Sequence, residues 1–205
     1  MRFVFLMFSA LVLIQCASRE DRRFRVGAAD EAYIVINIAK AQHEDAPYYS
    51  MFWRQLDAHG AFAAFDGDRT IDVETNEGGT VRVRGIPGEF LMARVDPGIY
   101  ALDSVFAVIR ENNVDYVANG VIAGPERPSF EVRPGEAVYL GIWEVDIEDN
   151  IAVARPWRLD TADLRALMRE ADEEVAGEVR VRETVTRAVA CAPHRLSNLT
   201  QRQIC

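Results

Sequence analysis

At 205 residues the chain is long enough for one ordinary domain and short for two. A hydrophobic fraction of 49% argues against wholesale disorder. The formal net charge of −9 argues against a nucleic-acid partner, because phosphate binding needs clustered Lys and Arg.

Residues 1–18 have the form of an export signal: Arg2 is a minimal positive region, and 3–14 is an apolar run broken only by Ser9. That run is too short to span a bilayer comfortably, which disfavours a permanent transmembrane anchor. Leu13-Ile14-Gln15-Cys16 resembles the lipobox of bacterial lipoproteins, whose cysteine becomes the lipidated first residue; Gln15 stands where that pattern has Gly, Ala or Ser. The competing reading is cleavage after Ser18, which would make the protein soluble in the periplasm or secreted. Both imply export. The lipobox resemblance implies a membrane anchor through lipid on Cys16, and Ala17 in place of Asp resembles the sorting rule for an outer membrane, facing the periplasm.

Export leaves Cys191 and Cys205 as an even pair in an oxidising compartment, so a disulfide between them is expected. It would close a loop of about 15 residues and stabilise by about 3 kcal/mol in the chain-entropy model.

Residues 19–30 are charged and read as a tether, and a β-domain is expected over 31–159. Its first strand is 32–39 (AYIVINIA). Residues 48–56 (YYSMFWRQL) carry four aromatics in alternation, and 61–65 reads as a further short strand. A hairpin signal at 76–79 separates 70–74 from 80–84. Strands follow at 89–95, 99–109, 114–121, 130–133, 137–145 and 151–157. The pairs Pro87-Gly88, Pro97-Gly98 and Pro134-Gly135 precede three of these, and each suits a type II turn with Gly at positive φ. The expected fold is mainly β, an antiparallel sandwich of about nine to eleven strands.

The pattern changes at Asp160. Leu164, Leu167, Met168, Ala171 and Val175 fall at helical spacing over 160–177, with Asp160 or Thr161 as cap and Gly177 as stop. This one amphipathic helix should dock on the β-domain. Residues 178–189 alternate as a short strand or an extended arm, and 178–205 form the C-terminal arm.

Chemistry-bearing residues are sparse. His43, His59 and His194 lack a paired metal spacing, and no nucleophile elbow, phosphate loop or dinucleotide fingerprint is present, so neither metal nor cofactor is expected. Asp66-Gly67-Asp68 and the group Asp146, Glu148 and Asp149 read as acidic residues solvating turns, without the ligand set of a calcium loop. Tyr48, Tyr49 and Trp53, with Phe52, Trp143 and Trp157, are either core or the lining of a candidate ligand groove.

Residues 94–102 and 132–141 give two phrases, Pro97-Gly98-Ile99-Tyr100-Ala101-Leu102 and Pro134-Gly135-Glu136-Ala137-Val138-Tyr139-Leu140-Gly141. They resemble bacterial lipoproteins of unknown function with a transthyretin-like (prealbumin-like) β-sandwich, over about residues 32–157. The resemblance supplies no catalytic residue. It implies a non-enzymatic cell-envelope lipoprotein that works through a surface, with a protein partner in the envelope. The alternatives are a glycan- or small-ligand-binding module using the aromatic groove, and a periplasmic hydrolase in which His43 or His59 meets Asp66 or Asp68.

Overall fold

The computed structural model describes residues 23–40, 47–64, 69–75, 81–83, 86–111, 114–121, 124–170, 175–190, 194–197 and 200–202. Two six-stranded sheets face each other. The first holds β2 (Ala32–Lys40), β5 (Val81–Val83), β6 (Ile86–Val95), β10 (Ala137–Glu148), β11 (Ile151–Arg158) and β13 (Arg180–Val181), in the order β11-β10-β2-β6-β5 with β13 on β10. The second holds β3 (Tyr48–Gln55), β4 (Thr70–Glu74), β7 (Gly98–Glu111), β8 (Val114–Val121), β9 (Glu126–Val132) and β14 (Val185–Ala188), in the order β14-β9-β7-β3-β4 with β8 on β7. The fold is therefore the expected β-sandwich with a single helix, α1 (Thr161–Glu170), among the described residues. That helix is not long and apolar enough to cross a membrane.

Alternation along β2 explains the whole layering. Ala32, Ile34, Ile36 and Ile38 enter the core between the sheets, while Tyr33 and Val35 point the opposite way. A strand buried on both faces reads as a nearly continuous apolar run, as 32–39 does apart from the buried Asn37. On the outward face Tyr33 and Val35 lie beside Ala137 and Tyr139 of β10, and Leu164 and Leu167 of α1 cover them together with Phe24. The Asp160 side chain caps α1 by accepting a 2.8 Å hydrogen bond from the Ala162 amide. One departure from a purely antiparallel sandwich lies here: β2 pairs with β6 antiparallel but with β10 parallel. A parallel neighbour requires a long crossover, and this one runs through the opposite sheet.

Four expectations need correction. The stretch 19–30 is, over its described residues 23–30, not simply a tether. Phe24 is 1% exposed, its ring centroid 5.2 Å from that of Tyr33, and β1 (Phe24–Arg25) pairs with β12 (Val175–Ala176). One apolar side chain in a charged stretch is enough to fasten it, provided the sheet leaves a pocket for it. For the same reason the helix does not continue to residue 177. Val175 lies in β12, and Gly177, at φ +128°, lets the backbone pass Val26, whose Cβ would stand 2.6 Å from an added methyl group.

Only one of the three Pro-Gly pairs makes a type II turn. Gly135 has φ +69° and the Glu136 amide donates to the Arg133 carbonyl at 3.0 Å. Pro97-Gly98 opens β7 without positive φ, and Gly98 instead makes room for Gln55, whose amide donates to the Pro97 carbonyl at 2.9 Å. Pro87-Gly88 lies within β6, opposite Arg82 and Val81 of β5. Residues 61–64, finally, form no strand; Ala61 and Phe62 make isolated bridges.

The C-terminal arm is part of both sheets. β13 (Arg180–Val181) runs parallel to Val138 and Tyr139 of β10, and the Arg182 amide donates to the Tyr139 carbonyl at 2.9 Å. The chain then crosses to the second sheet, where β14 pairs with β9 and the Ala190 amide reaches the Gly60 carbonyl at 2.9 Å. Further on, β15 (His194–Ser197) and β16 (Thr200–Arg202) pair with each other. Cys16, Cys191 and Cys205 lie outside the described residues, as do His43, Asp66 and Asp68.

Candidate functional site

A groove opens where one edge of β10 changes partners. Its first half lies beside β13 and its second half beside β11, with Ile142 opposite Arg158. Between them the strand bulges at Gly141, which adopts φ +85°. A side chain there would meet the Arg158 carbonyl at 2.6 Å, so the close approach of β11 to this bulge requires glycine. The space left is a cavity of about 270 Å³. It is lined by Leu140, Ile142, Pro156, Trp157, Arg158 and Leu159 and by Arg182, Glu183 and Thr184 of the crossing arm, with Leu140 and Ile142 buried.

Trp157 is 49% exposed, although large aromatics on this sandwich are mostly buried. Its neighbour Pro156 accounts for the position, since proline within a sheet is confined to edges and bulges. Both arginines of the groove are engaged. Arg158 grips the fully buried Asp163 through two contacts, at 2.5 and 2.8 Å, and lies 3.8 Å from Asp160. The 2.8 Å contact is a charge-assisted hydrogen bond, stronger than a neutral one. Arg182 pairs with Glu136. Glu183 is exposed and has no ion-pair partner among the described residues. Behind the groove, burial raises the Tyr139 phenol far above its ordinary range, with Asp163 adding to the effect.

The residues singled out from the sequence lie elsewhere. Tyr49 and Trp53 are fully buried in the core, while Tyr48 alternates to the other face of β3, so the three do not line one groove. Trp53 packs edge-on against Trp143 and Phe130, with ring centroids 5.0 and 5.4 Å away. Burial, with Asp146 nearby, pushes the Tyr49 phenol up to about 12. Of the two readings of 48–53, core holds for Tyr49 and Trp53. Trp157 was among the aromatics of the sequence, and the proline before it was the signal that set it apart.

The acidic group at 146–149 serves the β10–β11 hairpin. Asp149 and Asn150 take φ 49° and 64°, as a type I′ turn requires, and Glu148 binds Arg155 at 2.5 Å. His59 sits in an exposed turn whose amides donate to Asp57, at 2.8 Å from His59 itself and 3.0 Å from Ala61. These bonds hold the Asp57 carboxyl below its ordinary range. Among the described residues, no three His, Cys, Asp or Glu side chains are grouped as a metal site.

A second charged cluster crosses the outer face of the second sheet. Arg54 binds Asp103 at 3.1 Å and the Ala63 carbonyl at 2.5 Å, with its guanidinium carbon 4.9 Å from the centre of the Phe62 ring. Arg127, almost wholly buried, donates to the Gly124 and Glu126 carbonyls at 2.5 and 3.1 Å. Burial raises the Asp103 carboxyl in spite of the opposing pull of Arg54 and Arg127. These contacts tie loops to the sheet. In comparisons with known proteins, no family model, no curated protein and no solved structure matches the chain.

Proposed function

We propose that the protein is a non-enzymatic binding module of the cell envelope, anchored through lipid on Cys16 and working through the Trp157 groove. The observation that carries this reading is a half-exposed tryptophan lining a cavity of about 270 Å³ whose other residues are both apolar and charged. Exposed aromatics beside a concave apolar surface are typical of recognition sites. The likeness of 94–102 and 132–141 to envelope lipoproteins with transthyretin-like domains, and the lipobox-like Cys16, support the address. A glycan is the second reading, favoured by the same Trp157 ring, which offers a sugar a stacking face.

The protein and its Trp157→Ala variant, each immobilised and exposed to envelope extract, provide the test. The variant should lose retained envelope components while keeping its melting temperature; equal retention would remove the groove from the function. Fractionation of Cys16→Ser tests the anchor separately. Release from the membrane is expected, and an unmodified N-terminus at Arg19 in the original protein would overturn lipidation.

A further inference from the structure

We propose that the free edge of β14 pairs antiparallel with the same edge of a second copy of this chain, centred on Val185 and joining the second sheets of the two copies. The inference does not rest on what the groove binds.

β14 ends its sheet: it pairs with β9 on one side and, among the described residues, with no strand on the other. Backbone hydrogen bonds fix which groups face the open side. The Val189 amide donates to the Pro125 carbonyl, just before β9, whereas the Ala190 amide points the opposite way, to the Gly60 carbonyl. The Ser129 hydroxyl of β9 likewise donates to the Val185 carbonyl. Alternation therefore turns the backbone groups of Val185 and Arg187 toward β9 and leaves those of Thr186 and Ala188 facing outward. All four side chains are exposed, Val185 at 56%. Edge strands are commonly blunted by proline or lysine. β11, the end strand of the first sheet, carries Pro156, and β14 carries neither.

The occupant follows from residues 183–187, which read Glu-Thr-Val-Thr-Arg and are self-complementary when a second copy runs antiparallel. With Val185 opposite Val185 of the second copy, Thr184 faces Thr186 and Glu183 faces Arg187, the latter two contacts each occurring twice about the two-fold axis. Thr184 and Thr186 then form the hydrogen-bonded pairs, in keeping with the outward backbone of Thr186. Among the described residues the backbone of Glu183 and Thr184 makes no hydrogen bond, so these two can extend β14 as the second strand adds. Val185, Glu183 and Arg187 fall at non-hydrogen-bonded positions, where side chains approach most closely. Apolar, threonine and opposite-charge pairs are the favourable cross-strand combinations. Neither Glu183 nor Arg187 has an ion-pair partner within its own chain among the described residues, and this pairing supplies one to each. Moving the axis to Arg187 would instead oppose like charges, and moving it to Thr186 would set Val185 against Arg187.

Sedimentation equilibrium of the Cys16→Ser protein, in which lipid cannot drive association, measures the dimer. The overlap is smaller than a standard interface, so a reversible dimer is expected, populated at roughly millimolar concentration. Thr186→Pro removes an outward amide from each copy without touching the bonds to β9 and should weaken association by about tenfold or more. Arg187→Glu and Glu183→Arg each oppose like charges twice and should weaken it by about fivefold, while the double swap should restore it. These positions are exposed, and the melting temperature of each variant separates lost pairing from lost folding. Trp157→Ala should dimerise unchanged. A protein that stays monomeric at millimolar concentration, or a dimer indifferent to Thr186→Pro, would overturn the edge pairing. A dimer lost with Trp157→Ala would move the contact to the groove and overturn it as well. A double swap that fails to restore association would overturn the register on which the proposal stands.

Discussion

Trp53 of β3 and Trp143 of β10 meet edge to face across the two sheets, their ring centroids 5.0 Å apart and their planes at 85°. The Trp143 indole also donates to the Leu140 carbonyl at 3.1 Å, which ties this core contact to the bulged strand under the groove. Replacing either ring by alanine removes a large buried side chain and leaves a cavity, at an expected cost of about 3–5 kcal/mol. Trp157→Ala, at a half-exposed site, should cost under about 1 kcal/mol. Urea titration of the three variants separates the core tryptophans from the surface one. Acrylamide should likewise quench only the part of the emission that Trp157→Ala removes.

The glycines give a second, graded prediction. Gly135→Ala places a methyl group at φ +69° in the type II turn and should cost about 1 kcal/mol or more. Gly141→Ala adds a backbone clash with Arg158 to a similar φ and should cost more. Gly98→Ala meets first the side chain of Gln55, which can swing away, so its cost should be the smallest and should fall in a Gln55→Ala background. Denaturant midpoints for these variants test the order. Equal losses at Gly98 and Gly141 would mean that Gly98 is also held by its backbone conformation.

These glycines show what was legible in the sequence. A Pro-Gly pair announces a tight backbone feature, yet it does not distinguish a turn at Gly135 from a close approach at Gly98 or a strand position at Gly88. The fold class was legible because alternation is a local property: 32–39 is apolar except at Asn37 since both faces of β2 are covered, and 70–74 alternates since only one is. The site was not legible, because it depends on a contact between distant segments. Residues 140–142, 156–159 and 182–184 come together only when the arm returns to the edge of β10. Tyr48, Tyr49 and Trp53 drew attention by density, and density in a strand facing another sheet makes core.

The turn at Asp57 predicts a pH dependence with a definite sign. Amide donors from Ala61 and His59 stabilise its carboxylate, so its pKa is lower folded than unfolded. The unfolded state then binds protons more readily, and the stabilisation is present above the unfolded carboxylate range and lost as pH falls through the folded value. Asp57→Ala should therefore destabilise the protein at neutral pH, with the difference from the original closing on acidification. The carboxylate is exposed, so the effect concerns the local turn, and amide hydrogen exchange at His59 and Ala61 is the suitable measurement. A difference that stayed constant between pH 7 and the acid range would exclude the charge as its source.

The outer apolar layer yields the last prediction. Leu167 of α1 is fully buried and Phe24 nearly so, and both pack into the cluster formed by Tyr33, Val35 and Tyr139 on the outward face of the first sheet. Cutting Leu167 to alanine should cost about 2–4 kcal/mol and Phe24→Ala about 3–5 kcal/mol, although Phe24 lies in a stretch whose composition suits a tether. The two residues share one cluster, so their effects should not add. Once one is removed, the layer over β2 is already loosened and the second loss should be smaller than it is alone. A double-mutant cycle by urea unfolding measures this coupling. Strict additivity would place Phe24 and Leu167 in independent contacts, and a neutral Phe24→Ala would remove β1 from the folded unit and start the domain at β2.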